Sequence, residues 1–137
     1  MKEVTVHHVE GAPTNVVVQA VGVVGAGGGH THYQITGFDT ARNTANADDE
    51  GYRASFSKLS LIFQNERPAE TGLVGITMES LMAVCIDRLT DFQAGPFASS
   101  ENEEALQHLE QAMAALQQRT KRMVALDAIN SGKISLS

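Results

Sequence analysis

The dipeptide Gly95-Pro96 constrains this chain most, because it stands between two stretches of helical apolar spacing. Before it, Met78, Leu81, Met82, Cys85, Leu89 and Phe92 recur at intervals of three and four, the mark of one apolar helix face. After it, Ala105, Leu106, Leu109, Ala112, Met113, Leu116, Thr120 and Met123 do the same. Pro cannot continue a helix and Gly ends one readily, so the spacing predicts two helices folded back as an αα-hairpin. Thr77 is placed to cap the first, with Ile76 and Leu81 as a hydrophobic staple. Ser100 opens the second, with Glu103 completing a capping box.

Composition changes near residue 77. Ten of the twelve glycines precede it, and the chain after it is rich in Ala, Leu, Met, Gln and Glu. The first part carries three strand candidates: Asn15–Val24, His30–Phe38 and Ser55–Gln64. Gly25–Gly29 reads as a hairpin loop between the first two, Asp39–Gly51 as a polar surface loop, and Asn65–Gly75 as a further loop. The expected fold is therefore α+β, an N-terminal antiparallel sheet followed by a C-terminal helical hairpin. The boundaries are 1–76 for the β-rich part, 77–126 for the hairpin and 127–137 for a frayed tail, all within a single domain.

Ten Lys and Arg against sixteen Asp and Glu give a formal charge of −6, which argues against polymeric DNA or RNA and against an anionic membrane as partner. The start, MKEVTVHHVEG, lacks the apolar core of a signal peptide, and no apolar run is long enough to span a bilayer. The single cysteine excludes an internal disulfide. It lies between Val84 and Ile86 on a helical stripe, so a buried thiol is expected.

Catalysis and metal binding find little support. His7, His8, His30 and His32 lack a recognisable ligand spacing, so neither a metal nor another cofactor is expected. The run Gly25–Gly29 lacks both the Gly-Lys-Ser/Thr of a phosphate loop and the third glycine of a dinucleotide fold. No nucleophile-and-base set stands out, and no catalytic residue is assigned.

The informative stretch is Leu89–Arg122. An aromatic ring can stack on a base, Asn can read a base edge or a ribose hydroxyl, and Arg grips phosphate with paired hydrogen bonds. Phe92, Asn102, Arg119 and Arg122 together would suit a ligand having both a base and phosphate. The plainer reading of Arg119, Lys121 and Arg122 is that they complement the dipole at a helix end. Asn102 and Arg119 stand 17 residues apart on one predicted helix. That is about 25 Å, further than a small nucleotide reaches. If Phe92, Asn102 and Arg119 touch one ligand, the arginine comes from a second copy, and an antiparallel pairing makes two equal sites in a homodimer.

The runs LIFQNERPAETGLVGITMESLMAVCIDRL and FQAGPFASSENEEALQHLEQAMAALQQRT resemble the phage Thoeris anti-defence sponge proteins, which share a helical-hairpin domain with the phage anti-CBASS cyclic-nucleotide sponges. The resemblance covers about Val24 to Thr120 and implies a protein that binds the TIR-derived signal glycocyclic ADP-ribose in the infected host's cytoplasm without cleaving it. By position it assigns Phe92, Asn102 and Arg119 to the signal. It places a second arginine where this chain has Met123, with Arg122 just before. It also implies a hexamer built as a trimer of dimers, with a second pocket for CBASS cyclic di- or trinucleotides, for which Gly28, His30 and Arg67 are the candidates here. The residues alone leave open a nucleotide-degrading enzyme and a structural phage assembly protein.

Overall fold

The computed structural model describes residues 1–25, 27–45 and 57–130. The chain divides into two compact units, Met1–Gly75 and Ile76–Ser137.

The first unit is an antiparallel sheet of four strands in sequential order: β1 (Lys2–Val4), β2 (Val17–Val24), β3 (His30–Thr36) and β4 (Leu59–Ile62). β2 and β3 are the expected strands, with ends trimmed by up to two residues. They hold the centre because β-branched and aromatic side chains suit a half-buried pleat. Ala20 lies opposite Lys2 on one side and Tyr33 on the other, and is fully buried. The ring of Tyr33 meets Phe63 edge to face, with centroids 5.7 Å apart. The pairing of β2 with β3 shifts between Val21 and Val24, where Gly22 has φ +78°. An L side chain rarely tolerates that backbone angle, so glycine permits the bulge. The loop Gly25–Gly29 is the expected hairpin connection, closed by Gly25 N–H to Gly29 O at 2.7 Å and Gly28 N–H to Gly25 O at 3.0 Å.

Two features depart from expectation here. β1 was not foreseen, since Lys2-Glu3-Val4 has no pattern of its own and becomes a strand only by pairing with β2. The loop 65–75 contains a one-turn helix, α1 (Pro68–Thr71), with Pro at its start. The carboxamide of Gln64 gathers this segment, donating to Glu66 O and Gly72 O at 2.9 Å each and accepting from Val74 N–H at 2.8 Å. Part of the Asp39–Gly51 loop and the start of the Ser55–Gln64 strand candidate lie outside the described residues.

The second unit holds α2 (Met78–Gln93) and α3 (Ser100–Asn130). Thr77 caps α2 as expected: its hydroxyl accepts from Ser80 N–H at 3.1 Å, and Ser80 Oγ accepts from Thr77 N–H at 3.2 Å. The helices run antiparallel, since Gln93 meets Ser99 and Glu103 at one end while Glu79 meets Arg119 and Thr120 at the other. The sheltered positions of α3 include Asn102, Leu106, Leu109, Met113, Leu116, Met123 and Asp127, a seam with a period of 3.5, and near its end also Ala128 and Ile129. Those of α2 include Glu79, Met82, Ile86, Leu89 and Gln93.

Three expectations are corrected in this unit. Cys85 is exposed, because the seam of α2 runs through Ile86; one residue turns a side chain by about 100° around the axis. The cap of α3 is Ser99, whose Oγ accepts from Asn102 N–H at 3.0 Å, and Ser100 is already helical. The helix continues to Asn130 through the segment read as the start of a tail; 131–137 lie outside the described residues. None of the described helices is long and apolar enough to cross a membrane.

Candidate functional site

The turn between α2 and α3 brings Phe92 and Asn102 into one cluster. Phe92 closes the last turn of α2, and its ring meets Phe97 edge to face, with centroids 6.1 Å apart and planes at 80°. Asn102 lies in the first turn of α3, where its Nδ2 donates to Phe97 O at 3.1 Å. Its backbone is fixed by the Ser99 cap. Gln93 closes the turn from below: its Oε1 accepts from Ser99 N–H at 3.0 Å, and its Nε2 donates to Ser99 O at 3.1 Å. The reciprocal pair locks the loop that carries Phe97 between the two site residues.

The guanidinium of Arg88 lies over the Phe92 ring, with Cζ 4.8 Å from the centroid. Arg88 and Phe97 were not singled out from sequence. The four-residue interval from Arg88 to Phe92 was the available signal, since side chains at that spacing stack along one helix face.

Arg119 stands at the opposite end of the hairpin. Its Nη2 is 3.6 Å from Glu79 Oε1, with the arginine side chain 49% exposed and the glutamate 22%. Thr120 Oγ1 donates to Glu79 Oε2 at 3.4 Å. Glu79 was also unforeseen; its role depends on a partner 40 residues away in sequence. Arg122 is exposed, one turn further along α3. Within one chain, then, Phe92 and Asn102 are brought together, while Arg119 and Arg122 are about 25 Å and about 30 Å along the helix from Asn102.

The reach of α3 alters the plainer reading of these cations. The helix ends at Asn130, and its last turn has no basic residue. A helix dipole acts within its final turn, so it does not account for cations at 119–122. Arg119 keeps about half of its side chain exposed beside Glu79, and Arg122 is exposed.

The residues considered for a second pocket fall in the sheet unit. Gly28 lies in the β2–β3 turn with φ +88°. His30 begins β3, its ring edge to face with Tyr33 at 6.5 Å. Arg67 precedes α1, where its carbonyl accepts from Glu70 N–H at 2.9 Å. Among the described residues, no group of three or more His, Cys, Asp or Glu is placed to hold a metal ion.

Residues 61–121 match the family model described as Acb2/Tad1, hairpin domain. The matched span takes in Phe92, Asn102 and Arg119 and ends one residue before Arg122. That hairpin is a domain of the anti-CBASS and anti-Thoeris sponges, phage proteins that act as sponges for cyclic-nucleotide signals rather than as enzymes. No curated protein matches the chain.

Proposed function

We propose that this protein is a phage anti-defence sponge that captures glycocyclic ADP-ribose without cleaving it, and so blocks Thoeris immunity in the cytoplasm of the infected host. The observation that carries this reading is the separation of Phe92 and Asn102 from Arg119 on a hairpin whose match includes all three. Within a single protomer the stacking ring and Asn102 stand about 25 Å along the helix from Arg119, so the three cannot close on one small ligand. Two hairpins packed antiparallel unite them twice: Phe92 and Asn102 of one copy face Arg119 and Arg122 of the other, giving two equal sites per dimer.

Each side chain then has a task. Phe92 stacks the base, worth on the order of 1–3 kcal/mol. Asn102 reads a base edge or a ribose hydroxyl. The arginines pair with the phosphates, and hydrogen bonds to such charged groups contribute about 1.5–3 kcal/mol each. Capture works by mass action and needs nanomolar affinity, about −12 kcal/mol. Only an enclosed ligand reaches that, which is what a site shared between two copies provides. By the same reading, dimers assemble into a hexamer as a trimer of dimers, and Gly28, His30 and Arg67 contribute to a second pocket for CBASS cyclic di- or trinucleotides.

The test mixes protein with glycocyclic ADP-ribose, removes the free fraction by filtration, denatures the protein with heat and assays the supernatant. A sponge returns intact ligand. Products in the supernatant mean a degrading enzyme, and an undepleted ligand means a protein that uses its hairpin for assembly alone; either outcome overturns the reading. Native mass spectrometry of the complex reports subunit count and ligand stoichiometry together.

A further inference from the structure

Arg88 lies against the cluster formed by Phe92, Phe97 and Asn102. Asp87 and Asp91 flank it on α2, and Asp91 is at helical spacing for an ion pair. Among the described residues, however, no carboxylate pairs with Arg88, and its guanidinium lies on the Phe92 ring at 4.8 Å. The attraction of a cation to the face of a half-buried ring is modest. A guanidinium on a phosphate forms paired, charge-assisted hydrogen bonds, which are stronger. A base arriving on Phe92 competes with the guanidinium for the ring, and the phosphate joined to that base offers the displaced cation a stronger partner.

We infer that Arg88 is a further ligand-contacting residue, which lies on the Phe92 ring and transfers to a phosphate of the bound nucleotide. The inference rests on the reading of Phe92 as a base-stacking residue. It gives the site a cation from the same protomer as the ring, one helical turn away, in addition to the arginines of the second copy. It also gives the half-buried Phe92 ring a polar cover.

The experiment titrates the full-length protein and its Arg88→Gln and Arg88→Lys variants with glycocyclic ADP-ribose by calorimetry over a salt series, with thermal melts as a fold control. Arg88→Gln is expected to weaken binding roughly tenfold or more and to flatten the salt dependence, because one ion pair is lost. Arg88→Lys is expected to keep the salt slope and recover part of the affinity, since a point charge replaces the fork. If Arg88→Gln binds as tightly as the parent, or binds more weakly with an unchanged salt slope, Arg88 merely braces the ring and the inference falls. If the parent itself does not bind glycocyclic ADP-ribose, the ligand reading of the whole site falls, and this inference with it.

Discussion

Arg119 Nη2 lies 3.6 Å from Glu79 Oε1, joining the start of α2 to a position on α3 that is eleven residues short of that helix's end. The pair fixes one edge of the guanidinium while leaving nearly half of the side chain exposed. A half-exposed ion pair adds only about 0–1 kcal/mol to stability.

Arg119→Ala should abolish capture of glycocyclic ADP-ribose, by a hundredfold or more on the estimate of about 1.5–3 kcal/mol for each lost charged hydrogen bond. Calorimetry reads the affinity, and a urea melt should show a midpoint close to the parent's. Full capture by the variant would mean that the site lies elsewhere.

Phe92→Ala should weaken binding by a factor of about 5–150, the equivalent of about 1–3 kcal/mol of lost base stacking. Phe92→Tyr keeps a stacking ring and should stay within severalfold of the parent. Equal losses in the two variants would show that ring stacking is not what Phe92 supplies.

The cap of α3 separates two adjacent serines. Ser99→Ala removes the oxygen that receives Asn102 N–H and should cost about 1 kcal/mol in urea unfolding. Ser100→Ala lies within the helix and should be near neutral. The opposite ranking would return the cap to Ser100.

Gly75 leaves no room for a side chain, since a Cβ there would fall 2.5 Å from both Gln64 N and Phe63 C. Gly75→Ala should destabilise the protein by about 1–3 kcal/mol through overpacking against backbone. Chemical denaturation measures it, and a neutral result would mean that the backbone yields at that point. Gly72→Ala also places a Cβ at a constrained angle, φ +73°, but meets nothing within 4 Å and should be the milder of the two.

Much of this protein was legible from short-range pattern. Thr77, the Gly95-Pro96 break, the β2–β3 hairpin and the two apolar stripes are local signals, each arising from backbone geometry within a few residues. They sufficed for an α+β reading and for both helices, and the 17-residue spacing of Asn102 and Arg119 was enough to argue for a second copy. What depended on distant partners was decided by tertiary structure. β1 exists because β2 offers it hydrogen bonds, and Cys85 lies outside the seam because Ile86 packs there. Ser99 outcompetes Ser100 because Gln93 pins its backbone on both sides. Glu79 and Arg88 acquire meaning only once a guanidinium and a ring are beside them. Periodicity states which side chains share a face, but packing alone selects the face that is covered, because the free energy of burial belongs to two surfaces and not to one.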